Sequence, residues 1–183
     1  MSLPTRPLTL TINGKTHGPM DVPEGMMMID VLHEMLDLTG SRLGCGQGIC
    51  HACVVIWDRD DQTSEEVPTC ITGAGFFDGK RIRTIEGIAQ TNDRGEIVAL
   101  SPVQQAFTDR FSFQCGYCTP AFVNAATVLI ERLKRAPVPR AQVEATVAAA
   151  LESQICRCTG YVRYYEAVRD VILAAPDLTR DDA

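Results

Sequence analysis

Eight cysteines in 183 residues carry the chemical content of this chain. Four lie in the first half, as Cys45-x4-Cys50-x2-Cys53 and then Cys70, with 16 residues between the last two. Four lie in the second half, as Cys115-Gly116-Tyr117-Cys118 and Cys156-Arg157-Cys158. Grouped thiols can cross-link as disulfides, hold structural zinc, or carry iron–sulfur clusters. No Ser/His/Asp or Cys/His grouping stands outside these motifs. The glycines at 44–48 accompany cysteines and do not form a phosphate-binding loop.

The first set fits the plant-type [2Fe–2S] spacing. Two irons need two thiolates each, and here three thiols come from one tight loop. Gly44, Gly46 and Gly48 remove side chains where that backbone must approach closely or take positive φ. Amides aimed at sulfur, and exclusion of water, then tune the potential. Structural zinc usually takes two Cys-x2-4-Cys pairs, and this segment has one such pair after a Cys-x4-Cys step. The second set pairs a Cys-x2-Cys with a Cys-x-Cys, which is less specific. Iron–sulfur is the leading reading there and zinc the next. Cys-x-Cys is short for a zinc knuckle and strained as a disulfide.

These thiols need elements to position them. Leu8–Ile12 alternates in the strand period, and Asn13-Gly14 is a hairpin turn before a return strand over Lys15–Met20. Met27–Leu38 reads as a helix with Met28, Val31, Leu32, Met35 and Leu36 on one face, stopped by Gly40. Residues 44–53 are a loop, Val54–Trp57 a strand, Asp58–Glu66 an acidic surface turn and Lys80–Thr84 another strand. Beyond about residue 85, Ala-rich helical patterns take over. Ser101-Pro102 opens a helix through Phe111, and Thr119-Pro120 repeats the signature for a helix to Arg135. Pro137 and Pro139 mark a linker, Arg140–Ser153 and Tyr161–Ala174 are two more helices, and Pro176–Ala183 is a polar, frayed tail. Both second-half motifs therefore fall at helix termini. The N-terminal amides of a helix favour an anionic thiolate group. The expected class is α+β, with residues 1–85 and 86–183 as two domains. Each is below 100 residues, a size at which metal sites commonly support folding.

Composition narrows the function. Lys and Arg number 17 against 23 Asp and Glu, a formal net charge of -6, which disfavours phosphate-backbone binding. Hydrophobic residues are 45%, as in ordinary globular chains, yet no run reaches membrane-spanning length. Met1–Pro7 has no apolar signal region, so the expectation is a cytoplasmic protein, with export inside a complex also compatible.

The motifs Gly44-Cys45-Gly46-x-Gly48-x-Cys50-x-Ala52-Cys53, Gln114-Cys115-Gly116-Tyr117-Cys118-Thr119-Pro120 and Cys156-Arg157-Cys158-Thr159-Gly160-Tyr161 occur in that order. Together they resemble the small iron–sulfur subunit of molybdenum hydroxylases, the xanthine dehydrogenase, aldehyde oxidoreductase and carbon monoxide dehydrogenase family. The resemblance runs from about Leu8 to Leu173. It implies a plant-type ferredoxin-like (β-grasp) domain followed by an all-α, four-helix [2Fe–2S]-binding domain. It further implies one [2Fe–2S] cluster on Cys45, Cys50, Cys53 and Cys70 and another on Cys115, Cys118, Cys156 and Cys158. The second would lie near the molybdopterin cofactor of a large catalytic subunit, which Gln114 would contact. The first would lie nearer an FAD subunit, or a cytochrome subunit. A free-standing ferredoxin-like carrier or redox sensor is the alternative.

Two positions depart from the family pattern. His51 replaces a frequent glycine; it could face a partner or modulate potential, and the plainer reading is an exposed bystander. Ala121 replaces the glycine that commonly follows the Cys-x-Pro step, which puts the local backbone path in question. The 37 residues between Cys118 and Cys156 imply a long interhelical connection. His17 and His33 read as structural, and Arg157 as solvated or partner-facing.

Overall fold

The computed structural model describes residues 3–181; Met1 and Ser2 of the expected leaderless start, and Asp182 and Ala183 of the expected frayed tail, lie outside the described residues. β1 (Thr5–Ile12) buries Leu8, Leu10 and Ile12 on alternate positions, as a half-buried strand must. Asn13 and Gly14 both take positive φ, 52° and 79°, and turn the chain into antiparallel β2 (Lys15–Pro23). β3 (Val54–Asp58), β4 (Ser64–Pro68) and β5 (Arg81–Arg83) complete a five-stranded sheet in the order β2-β1-β5-β3-β4. β1 and β5 run parallel and the other neighbours antiparallel.

Several expectations change here. The helix over Met27–Leu38 is one short turn, α1 (Met28–Asp30), continued as a wider π-type turn over Val31–Met35. Asp37 at φ 56° ends it before Gly40, and Met35 faces solvent while Met28, Val31 and Leu32 are buried. The acidic turn narrows to 59–63, because Ser64–Pro68 pairs along the full edge of β3. Glu65 can lie in that strand because Arg59 pairs with it, and Glu66 because it accepts from Gln154.

A 3-10 turn (Ile85–Gly87) and a small hairpin, β6 (Gln90–Thr91) with β7 (Ile97–Ala99), lead into the second half. Four α-helices follow among the described residues: α2 (Pro102–Asp109), α3 (Thr119–Arg135), α4 (Val143–Leu151) and α5 (Val162–Ala174). Ser101 caps α2 as expected, its hydroxyl accepting from Gln104 N–H while the Gln104 side chain accepts from Ser101 N–H. Thr119 is not a cap. The cap position belongs to Cys118, whose carbonyl accepts from Ala121 and Phe122, and the Thr119 hydroxyl bonds Tyr164 instead. Ala121 is buried in the first turn of α3, so its methyl leaves the helical path intact. The Arg140–Ser153 helix begins as a 3-10 turn (Arg140–Gln142) and ends at Leu151. The tail is not frayed where it is described. Leu178 and Thr179 are buried, and β9 (Thr179–Arg180) lies parallel to β8 (Val138–Pro139), within the expected linker.

Two cores result. One gathers Leu8, Leu10, Ile12, Met28, Leu32 and Phe77 under the sheet, and the other packs Phe107, Phe122, Leu129, Leu151, Tyr164 and Val168 between the helices. Phe122 and Tyr164 stack face to face at 4.1 Å. α3 joins the halves. Asn124 Nδ2 donates to Val54 O at 2.9 Å, and Arg83 is held between Asp58 and Glu131.

Candidate metal centre

In the first loop the backbone turns inward on one sulfur. The amides of Gln47, Ile49 and Cys50 point at Cys45 Sγ, at 3.3, 3.4 and 3.4 Å. These N–H groups, that of Cys50 foremost, pull the Cys45 thiol down to about 6, so it is ready as a thiolate at neutral pH. Glycine is required where the coil is tightest. A Cβ on Gly44 would meet Cys50 Sγ at 2.9 Å, and one on Gly48, already at φ 71°, would run into the Ile71 side chain. Cys53 and Cys70 form the deep side, both buried. Burial pushes the Cys53 thiol up to about 11, so a metal there must displace a tightly held proton. Thr69 fixes this side by donating to Cys53 O at 2.7 Å.

The second site is assembled from helix ends. Cys118 caps α3, and Cys156 and Cys158 lie in the turn between α4 and α5. Cys115 Sγ and Cys158 Sγ are 3.6 Å apart. That is far beyond the roughly 2.05 Å of a disulfide and close to the edge of a tetrahedron with metal–sulfur bonds of about 2.3 Å. All eight cysteines are free thiols. The deep pair is Cys118 and Cys156. Burial, reinforced by neighbouring Cys156, pushes Cys118 up to about 12. Cys156 moves down: the Thr159 hydroxyl, 3.1 Å away, and the amides of Cys158 and Thr159 outweigh its burial. Each set thus has two buried thiols and two nearer the surface.

Sequence reading missed the joint between the sites. Tyr117, inside the Cys-x2-Cys step, donates its hydroxyl to Leu43 O at 2.9 Å, and the Ile155 amide donates to Cys50 O at 3.1 Å. Arg42 lies over the Tyr117 ring. Two of these contacts end on backbone carbonyls, which no residue pattern marks. Gln114 is exposed beside exposed Cys115, in a segment that also shows Phe111 and Phe113 to solvent. Arg157 is exposed as well. His33 Nε2 bonds Ser41 O at 2.6 Å, and half-buried His17 lies on β2, so both are structural. His51 is not the exposed bystander expected. It is half-buried, with Nδ1 buried.

Two such sets of thiols are the donors that iron–sulfur proteins use. A 2Fe-2S iron–sulfur cluster binding domain model matches residues 10–74, and a [2Fe-2S] binding domain model matches residues 84–169. The nicotine 6-hydroxylase small subunit of Paenarthrobacter nicotinovorans is 38% identical over 143 residues, 78% of this chain and 76% of that one. The nicotinate dehydrogenase small FeS subunit of Eubacterium barkeri is 33% identical over 162 residues, 88% and 92% of the two chains. The crystal structure of quinoline 2-oxidoreductase from Pseudomonas putida superposes with a TM-score of 0.76 at 29% identity, covering 95% of this chain and 93% of that one. The chain belongs to the family of iron–sulfur subunits of molybdenum hydroxylases.

Proposed function

We propose that this chain is the electron-transfer subunit of a molybdopterin-dependent oxidoreductase and performs no substrate chemistry itself. Cys115, Cys118, Cys156 and Cys158 would hold the [2Fe–2S] cluster on the molybdenum side. Cys45, Cys50, Cys53 and Cys70 would hold the one that faces FAD or another acceptor. When bound, such clusters supply one-electron carriers whose potentials follow their hydrogen bonds and burial. The chain's own residues do the rest. The loop amides orient the outer thiols, the deep thiols exclude water, and Tyr117 and Ile155 bind one cysteine loop to the other. That joint is the observation that carries the proposal, since a carrier between two partners needs its two sites in fixed contact.

Exposed Gln114 is proposed to contact the pterin of a large catalytic subunit, and an FAD or cytochrome subunit to approach the first loop. The sheet order and the helices supply grounds for reading residues 1–85 as a ferredoxin-like β-grasp domain and 86–183 as a four-helix domain. The proposed compartment is the cytoplasm, where cysteines in this number serve metal sites rather than disulfides. Among the described residues no helix is long and apolar enough to cross a membrane.

The test is low-temperature EPR after anaerobic dithionite reduction, with metal and sulfide analysis. Two distinct signals, with iron and sulfide each about four per chain, are expected for two [2Fe–2S] clusters. One signal, with zinc making up the remaining metal, would overturn the electron route. In the assembled enzyme, Gln114→Ala is expected to keep both signals and slow their reduction by substrate. Unchanged kinetics would remove Gln114 from the pathway.

A further inference from the structure

His51 stands between two proposed ligands, Cys50 and Cys53, with its backbone left-handed at φ 55°. In the same loop, Gly46 and Gly48 take that conformation, at φ 67° and 71°, without the steric penalty a Cβ brings. Strain of this kind persists where the surroundings hold it for a purpose. His51 Nδ1 is buried and has no hydrogen-bond partner in the protein. Ser41 Oγ and Arg42 Nε are buried and unpartnered too. Their segment lies against His51's, since Arg42 N–H donates to Ala52 O at 3.0 Å. Of the five such side-chain atoms among the described residues, three therefore lie on these two adjoining segments.

Buried polar atoms are nearly always paired. His51 Nδ1 can donate, so it calls for an acceptor beside the loop that the fold itself does not supply. The proposed ligands on either side of His51, Cys50 and Cys53, define what that acceptor would be: an anionic iron–sulfur cluster. We infer that His51 donates its Nδ1–H to a sulfur of the first [2Fe–2S] cluster and thereby raises that cluster's reduction potential, a reading that rests on the proposed ligation by Cys45, Cys50, Cys53 and Cys70. Reduction adds negative charge to the cluster, and a donor aimed at its sulfur stabilises that added charge. The residue is thus a tuning group for the outer end of the chain of carriers.

The test uses full-length protein loaded with both clusters. His51→Gly removes the donor and relaxes the backbone. His51→Asn tolerates the left-handed conformation and keeps an N–H donor at a similar distance from the backbone. Both are expected to load iron and sulfide as the parent does. In an EPR-monitored redox titration, the first cluster of His51→Gly is expected to become harder to reduce by about tenfold in equilibrium, about 59 mV for one electron. His51→Asn should recover most of that shift, and the second cluster should not move. In unaltered protein, isotopically labelled histidine should change the nitrogen modulation of the first-cluster signal in pulsed EPR. This measurement needs no variant, so it decides the matter even if His51→Gly fails to load iron. An unmoved potential in a loaded His51→Gly, or no label-dependent modulation, overturns the inference. A missing first-cluster signal in unaltered protein instead overturns the ligation on which it rests.

Discussion

The two cysteine sites reach similar thiol arrangements by different routes. In the first, Cys45 is held by three amides from its own loop, within five residues of itself. In the second, Cys115 and Cys158 come together across 43 residues, and Cys118 Sγ lies 3.9 Å from the hydroxyl of Tyr164, whose ring stacks on Phe122. The first geometry is written in local φ values. The second depends on how α3, α4 and α5 pack. A loop-built site should therefore fail through one local change, and a helix-built site through its core.

The largest effect expected follows from that independence. Cys53→Ser should remove the first-cluster EPR signal and leave the second, and Cys118→Ser should do the reverse. If either variant loses both signals, the sites share one folding unit and the contrast collapses.

A middle-sized effect belongs to the joint. Burial raises the Glu66 carboxyl from the ordinary 4.5 to about 7, although Gln154 Nε2, 2.7 Å away, partly opposes the shift. A carboxyl with a raised folded pKa holds its proton more tightly in the native state. Its stabilising contribution is full below the ordinary carboxylate range and drains away as pH rises to about 7, then stays constant. The amount is on the order of 1–3 kcal/mol, trimmed by the residue's partial exposure. Thermal midpoints should thus fall across that window in the parent and stay flat there in Glu66→Gln. A parent with no slope would mean that Glu66 meets more water at the joint than its packing implies.

The smallest effect is expected from Tyr117→Phe. It deletes one neutral hydrogen bond at a half-exposed site, about 0.5–1 kcal/mol. Both clusters should load normally, while the magnetic interaction between them in the doubly reduced protein changes slightly. Identical spectra would leave the Ile155–Cys50 and Asn124–Val54 contacts as the bridges that matter.

Much of this protein is legible without coordinates because the signals are short-range. The Asn13-Gly14 turn, the Ser101-Pro102 helix start, the thiol spacings and the glycines around them each constrain a few adjacent residues, where steric and ligand geometry leave few options. β4 was hidden by its charges, since Glu65 and Glu66 become acceptable in a strand only when Arg59 and Gln154 meet them. The buried tail was hidden because Leu178 gains its apolar surroundings from helices far back in the chain. The buried Nδ1 of His51 was hidden for a related reason, since residues 41–42 fold against 51–52. The sequence alone determined which atoms could bind metal and roughly how each motif is held. Only the tertiary structure decided that the two sites touch, because Tyr117 with Leu43 and Asn124 with Val54 meet across 74 and 70 residues, through backbone carbonyls that every residue carries alike.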